Sequence, residues 1–272
     1  LIAARHDKKF VGREDFLSAI DRIVGGLERR NMIITPEEKR LIAYHEAGHA
    51  TVSWILEYAN PLIKVTIIPR GRALGAAWYL PEERQVTTRE QIMDDIASTL
   101  GGRAAEKLVF DTLGSGALND LEVATKKAYS MVAYLGMSDK VGNMSYYDSS
   151  GQGEMALTKP YSEQTAELID KEVKRLLDDA FALATKVLRE HRDGFTQLAE
   201  LLLEKEVVFS EDLERIFGKR IKDIKREQAE AAAAAGAADS DPVSVTDAEL
   251  AFGGETVAEP GAAPDWGEKP EK

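Results

Sequence analysis

The chain of 272 residues is 44% apolar and carries a formal net charge of −12. This length and apolar content allow a hydrophobic core in one or two domains, whereas the negative charge argues against a nucleic acid partner. The chain has no cysteine, which excludes disulfides and thiolate metal sites and leaves imidazole and carboxylate groups as the available metal ligands.

The N-terminal segment, residues 1–30, shows the apolar spacing of two short helices and is predicted to be the end of a preceding domain. The sequence begins at Leu1 within a helical pattern, so we expect a fragment of a longer protein. It shows no secretory signal peptide and no run of the roughly 18 apolar residues that a membrane-spanning helix requires.

A strong helix start lies at Thr35-Pro36-Glu37-Glu38. Threonine accepts a hydrogen bond at an N-cap, proline suits the first helical position, and Glu38 completes a capping box. The helix is predicted to run from Pro36 to about Tyr58, because Asn60-Pro61 then ends it.

Two stretches rich in β-branched and aromatic residues follow, at 63–69 and 74–81. A short turn through Arg70-Gly71-Arg72 separates them, and the pattern predicts a small β-hairpin. A second capping box, Thr88 to Gln91, then opens a helix predicted to reach Phe110. Because glycine destabilises a helix, Gly101 and Gly102 inside it are expected to serve close helix packing.

A glycine-rich loop, TLGSGALND, precedes a helix predicted from Asp120 to Leu135, with Asn119 as its N-cap and Gly136 as its stop. The remaining predicted elements are weak strands at 141–147 and 153–157, a helix of nearly thirty residues capped by Ser162, and shorter helices at about 195–204 and 210–217. Residues 219–272 have the composition of a helical stalk followed by an acidic disordered tail. The predicted fold class is mainly α, with a small β-hairpin, short additional strands and a disordered C-terminal tail.

The stretch AYHEAGHATV carries the chemistry of greatest interest, because it places two of the chain's four histidines four residues apart. On an α-helix, His45 and His49 lie on one face, where both imidazoles can bind one zinc ion. Glu46 projects beside these ligands and can take a proton from an activated water. Ala47 and Gly48 leave the surrounding surface free of side-chain bulk. A chance match to H-E-x-x-H on a packed helix is the competing interpretation, which the mid-helix position and the scarcity of histidine disfavour.

A catalytic zinc site needs a third protein ligand, and three residues are candidates. His191 lies near the charged end of a long helix, where a solvated histidine is the ordinary case. Glu106 lies on a helix expected to pack close by, and it can equally form a salt bridge or support the site from behind. Asp120 lies in the first turn of a helix, where the unpaired N–H groups favour an ionised carboxylate. These physical arguments do not separate Asp120 from Glu106.

Five linked segments give this chain a resemblance to a known family: AYHEAGHA, VTIIPRGRALGAAWYLP, TLGGRAAE, GALNDLEVAT and GMSDKVG. In this order and spacing they resemble the peptidase domain of the FtsH family of membrane-anchored AAA+ zinc proteases, over roughly residues 1–218. PRGRALG and KPYSEQTAELIDKEV are most similar to the mitochondrial matrix-facing branch and its bacterial relatives. The resemblance implies that one Zn²⁺ is held by His45, His49 and Asp120, that Glu46 is catalytic, and that Glu106 is a near-site support residue.

The resemblance also implies a domain organisation and an assembly. Residues 1–30 correspond to the end of an AAA+ ATPase helical lid, 31–218 to the zinc peptidase domain, and 219–272 to the stalk and tail. The family forms a homo-hexamer at the cytoplasmic side of the bacterial inner membrane or, alternatively, the matrix side of the mitochondrial inner membrane. Because this sequence has no G-x-x-x-x-G-K-[ST] loop and no transmembrane segment, ATP and the membrane are expected to act only through parts absent from it.

The expected function is that of the proteolytic domain of an ATP-dependent zinc metalloendopeptidase. Its expected substrates are peptides and unfolded, misfolded or short-lived membrane and soluble proteins. An extended substrate is expected to pair as an added strand with the second hairpin strand, through Gly75, Ala76, Ala77 and Trp78. The alternative is a non-catalytic helical assembly or chaperone module of the same fold, which would be expected to have lost Glu46 or one of the ligands.

Overall fold

The computed structural model describes residues 1–5, 7–12, 15–16, 19, 22–23, 26, 28, 33–69, 74–79, 85–147 and 160–238. The turn predicted at 70–72, the strand at 153–157, the tail from residue 239 and most of the second N-terminal helix lie outside them. The chain divides into two compact units, Leu1–Gln228 and Ala229–Lys272. Among the described helices, none combines the length and the apolar character needed to cross a lipid bilayer.

The described structure is mainly helical, as predicted, with one small sheet. The helices are α1 (Ile2–Arg5), α2 (Pro36–Ile55), α3 (Arg89–Thr99), α4 (Gly101–Phe110), α5 (Leu118–Tyr129), α6 (Glu163–Glu190), α7 (Arg192–Lys205), α8 (Ser210–Phe217) and α9 (Ile221–Ala238). The strands are β1 (Leu62–Thr66), β2 (Ala76–Tyr79) and β3 (Val207–Phe209).

Helix α2 is the central helix of the first unit. Its predicted capping box is present: Glu38 N–H donates to Thr35 Oγ1 at 3.2 Å, and Thr35 N–H donates to Glu38 Oε2 at 3.0 Å. The helix ends at Ile55, three residues before the predicted Tyr58. It ends early because tertiary hydrogen bonds hold the following backbone, including one from Tyr58 N–H to Asp94 Oδ2 at 3.0 Å.

The helix predicted as one piece from Thr88 to Phe110 is two helices. Leu100, with ψ near 0° (−2°), closes α3 and opens α4, and two glycines follow it. The break directs α4 along α2, where a Cβ at Gly48 would lie 2.4 Å from the carbonyl oxygen of Gly101. The expected use of these glycines in close helix packing is confirmed.

The sheet has the strand order β2-β1-β3, and both pairs are antiparallel. Pairing of the two predicted strands is therefore confirmed, but the third strand was missed. No element was predicted at 207–209, because three residues between two helices are too few to show an alternating pattern. Within the described residues β2 lies at an edge of this sheet.

Two expectations around α5 were wrong. The N-cap was predicted at Asn119, but a 3-10 turn at Ser115–Ala117 leads directly into a helix that begins at Leu118. The 3-10 turn starts the helical conformation early, so Asn119 lies within the first turn. The strand predicted at 141–147 is absent from these described residues. The predicted end of the helical segment at Gly136 is confirmed. A π-helical turn at Ser130–Tyr134 follows α5, and Gly136 then has φ +61°.

Candidate metal centre

Three side chains from two helices converge at the middle of α2. The Nε2 atoms of His45 and His49 are 3.0 Å apart, and Asp120 Oδ2 lies 3.2 Å from the first and 3.5 Å from the second. Two ligands about 2.0 to 2.1 Å from a tetrahedral zinc ion are separated by roughly 3.3 Å. The three atoms therefore have the mutual spacing of one face of a zinc coordination tetrahedron.

The other ring nitrogens are engaged by acceptors on the far side of each imidazole. His45 Nδ1 lies 2.8 Å from Glu106 Oε1, and His49 Nδ1 lies 2.9 Å from the carbonyl oxygen of Ser98. A carbonyl accepts only from a protonated Nδ1, so the neutral form of His49 carries its lone pair on Nε2, the atom that faces Asp120. The carboxylate of Glu106 favours the same tautomer of His45.

Glu106 lies behind His45 and does not join the group of ligand atoms. Its side chain is 1% exposed and accepts a second hydrogen bond, from Gly114 N–H at 2.8 Å. Burial disfavours its charge, but the hydrogen bonds from His45 and Gly114 outweigh burial and lower the pKa of Glu106. An ionised carboxylate bonded to Nδ1 increases the basicity of the ring toward a metal at Nε2.

The electrostatics of the group favour a bound cation. Burial favours the neutral ring of His45, but the hydrogen bonds to Asp120 and Glu106 outweigh it and raise the pKa of His45 to about 10. Burial would raise the pKa of Asp120, yet its contacts with the two histidines hold that pKa well below its usual range. The two carboxylates therefore attract positive charge to the space between the imidazoles, where a divalent metal ion competes with a proton.

Glu46 lies next to the ligands on α2 and is 7% exposed. Burial raises the pKa of Glu46, and the neighbouring histidines oppose this rise. A Cβ at Gly75 would lie 2.5 Å from Glu46 Oε1. The backbone at the beginning of β2 therefore packs directly on the carboxylate of Glu46.

The residues predicted to bind substrate lie at and just before β2. Gly75 precedes the strand, and Ala76, Ala77 and Trp78 belong to it. Lys64 Nζ lies 5.4 Å from the centre of the Trp78 ring, on the neighbouring strand. The position of Gly75 thus brings one end of this edge strand to the candidate metal centre.

His191 lies at the junction of α6 and α7 and is not part of the centre. Among the described residues, the group with metal-ligand spacing consists of His45, His49 and Asp120. Sequence reasoning missed the contact of Gly102, where a Cβ would lie 2.5 Å from His45 Nε2. The Gly-Gly pair in the sequence indicated close helix packing, but it did not indicate that Gly102 contacts His45. The contact of the Ser98 carbonyl with His49 was also missed, because every residue has a backbone carbonyl and the sequence does not show which one accepts this hydrogen bond.

Comparisons with known proteins identify a family and several relatives. Residues 32–216 match the family described as Peptidase family M41. The chain is 62% identical over 220 residues to the ATP-dependent zinc metalloprotease FtsH of Parabacteroides distasonis, covering 81% of this chain and 32% of that protein. It is 51% identical over 222 residues to the FtsH of Rhodothermus marinus, covering 81% and 32%. It is 46% identical over 220 residues to the mitochondrial inner membrane m-AAA protease component AFG3L2 of Mus musculus, covering 81% and 27%.

Proposed function

This chain belongs to peptidase family M41, and we propose that it forms the proteolytic domain of an ATP-dependent zinc metalloendopeptidase. The observation that supports this most directly is the spacing of His45 Nε2, His49 Nε2 and Asp120 Oδ2, which lie within 3.5 Å of one another. These three atoms would hold one zinc ion and leave the fourth position open. A zinc ion there supplies Lewis acidity, which activates water for attack on a peptide carbonyl.

We assign the ligand-orienting roles to Glu106 and the carbonyl of Ser98. Each accepts from the Nδ1 atom of one histidine, which fixes the ring orientation and keeps Nε2 available. Glu106 is itself fixed by Gly114 N–H, so the support extends to the backbone of Gly114.

Glu46 is assigned the role of general base and then general acid. Its carboxylate takes a proton from the attacking water as the C–O bond forms, and it gives that proton to the amide nitrogen as the C–N bond breaks. Burial raises the pKa of Glu46, which strengthens its carboxylate as an acceptor of the proton from water. No covalent enzyme intermediate is required.

We further propose that an extended substrate pairs with β2 through backbone hydrogen bonds, along Gly75, Ala76, Ala77 and Trp78. The edge position of β2 and the contact of Gly75 with Glu46 support this placement. Because backbone pairing reads little of the sequence, such a site suits degradation of unfolded, misfolded or short-lived membrane and soluble proteins.

The chain spans 32% of the length of the FtsH proteins of Parabacteroides distasonis and Rhodothermus marinus and 27% of AFG3L2, so its larger context is part of the proposal. We propose that residues 1–30 end an ATPase helical lid, that 31–218 form the peptidase domain, and that 219–272 form a stalk and tail. The assembly is a homo-hexamer in which ATP acts through the ATPase domain. It is membrane-associated, on the cytoplasmic side of a bacterial inner membrane or, alternatively, on the matrix side of a mitochondrial inner membrane.

The test compares bound zinc and hydrolysis of casein by the wild-type chain and by Glu46→Gln. The wild type is expected to bind one zinc ion and to cleave casein, whereas Glu46→Gln binds zinc and loses at least about 100-fold in hydrolysis. Full hydrolysis by Glu46→Gln would contradict the mechanism. Absence of hydrolysis by the wild-type chain, and by the full-length hexamer supplied with ATP, would support the non-catalytic assembly module instead.

A further inference from the structure

The backbone of Gly75 lies so close to the Glu46 side chain that position 75 has no room for a Cβ atom. A Cβ at position 75 would lie 2.5 Å from Glu46 Oε1, 2.7 Å from its Cγ and 2.8 Å from its Cδ. We propose that Gly75 is a positioning residue, whose bare backbone holds the carboxylate of Glu46 in its working place. This inference rests on the proposed function, because it concerns the general base of that reaction.

Space, and not backbone conformation, explains why position 75 is a glycine. The described glycines with positive φ are Gly26, Gly136, Gly142 and Gly218. Gly75 is not among them, so a left-handed φ does not explain the glycine at this position. What an alanine would change is the methyl group, which would occupy the volume now taken by the Glu46 side chain.

Rigid elements carry both partners of this contact. Glu46 lies in the buried middle of α2, where its neighbour Ala47 is fully buried. On the other side, Ala76 pairs with Thr66 of β1, and Thr66 also pairs with Val207 of β3. Neither backbone can withdraw by the required distance without disturbing the helix or the sheet, so an added methyl group would push the Glu46 carboxylate aside.

This geometry links the position of the substrate to the position of the general base. The proposed substrate lies along β2, and the residue at the beginning of that strand touches the general base. A displaced carboxylate would no longer meet the attacking water correctly. The three heavy atoms nearest to a Cβ at position 75 all belong to Glu46, and none belongs to His45, His49 or Asp120. Gly75→Ala should therefore reduce turnover while the protein still binds one zinc ion per chain.

A double-mutant cycle tests the contact, using Gly75→Ala, Glu46→Ala and the combination. Glu46→Ala removes the Cγ, the Cδ and the carboxylate oxygens, which are the atoms that a Cβ at position 75 would meet. With Glu46 present, Gly75→Ala is expected to lower the Tm of the zinc-free chain by about 3 to 8 °C. It should also lower kcat for a fluorogenic peptide by about 10-fold to 100-fold. In the Glu46→Ala background, which lacks the general base, the effect on Tm should nearly vanish.

Gly116→Ala is the matched control, because a Cβ there meets no heavy atom within 4 Å. Its Tm, zinc content and kcat should equal those of the wild type. Equal effects of Gly75→Ala on Tm in both backgrounds would overturn the positioning role while leaving the proposed function intact if the wild type is active. Coupling in Tm, together with no hydrolysis by the wild-type chain or by the full-length hexamer supplied with ATP, would overturn the proposed function, and the positioning role with it.

Discussion

Glu106 Oε1 lies 2.8 Å from His45 Nδ1, whereas Asp120 Oδ2 lies 3.2 Å from Nε2 of the same ring. The two carboxylates that sequence reasoning left as rival ligands therefore contact opposite nitrogens of one imidazole. Because the two nitrogens point away from each other, one ion bound at Nε2 can include Asp120 but not Glu106. The two residues have different tasks, and substitutions at them should have different consequences.

Glu106→Gln is predicted to weaken zinc binding without abolishing it. The amide oxygen can still accept from His45 Nδ1, but the negative charge that strengthens the ring as a ligand is lost. A decrease in zinc affinity of about 10-fold to 100-fold is expected, measured by competition with a chelator of known affinity. Glu122→Gln is the control, since Glu122 is exposed and pairs with Lys126. Unchanged affinity in Glu106→Gln would contradict the supporting role.

Asp120→Asn is predicted to lower zinc affinity more than Glu106→Gln does, because it removes a charged ligand atom from the group. Zinc should then no longer raise the Tm of the protein at concentrations that stabilise the wild type. Asp111→Asn provides the comparison, since this exposed aspartate pairs with Lys107 outside the centre. Wild-type zinc affinity in Asp120→Asn would show that Asp120 is not a zinc ligand.

Gly48→Ala is predicted to destabilise the fold. Its Cβ would lie 2.4 Å from the carbonyl oxygen of Gly101 and 2.6 Å from Ala105 Cβ, and both belong to the facing helix. Overpacking of this kind costs about 1 to 3 kcal/mol or more, so Tm should fall by several degrees in thermal unfolding. Gly116→Ala should leave Tm within about 1 °C of the wild type, since its Cβ would enter open space. Equal Tm values for the two variants would contradict the packing argument.

Local chemistry made much of this fold predictable from the sequence. The two capping boxes, Thr35 to Glu38 and Thr88 to Gln91, form as expected because each is satisfied within one turn of a helix. The break at Leu100 was not predictable in this way, since it depends on how α4 must run to meet α2. Strand β3 was likewise missed, because its three residues become a strand only by pairing with β1.

In the candidate centre, too, some features follow from local sequence and others depend on tertiary packing. The spacing of His45 and His49 follows from the helix period, so the sequence indicates the pair directly. The choice between Asp120 and Glu106 depends on which ring nitrogen each one reaches, and that depends on the packing of α4 and α5 against α2. The resemblance to a known family supplied that choice in advance, whereas the physical arguments from sequence did not.

Glu172 gives the fold a predicted dependence on pH. Its carboxylate is 1% exposed and meets Lys140 Nζ at 2.6 Å, Arg175 Nη2 at 3.0 Å and Ser138 Oγ at 3.1 Å. Burial disfavours the charge, but Arg175, Lys140 and Ser138 outweigh it and lower the pKa of Glu172 from 4.5 to about 2. Because the folded pKa lies below the unfolded one, this stabilisation is complete above about pH 4.5 and is lost as pH falls toward 2.

Glu172→Gln should therefore be less stable than the wild type at pH 7, and the difference should shrink as the solution is acidified. Since Lys140 and Arg175 are themselves exposed to solvent, we expect a screened difference on the order of 1 to 2 kcal/mol in the free energy of unfolding. Denaturant unfolding at pH 7 and at about pH 3 measures it. Glu167→Gln, which breaks an exposed pair with Lys171 on the same helix, should change stability little at either pH. A Glu172→Gln difference that stays constant or grows on acidification would show that charge on Glu172 does not stabilise the fold.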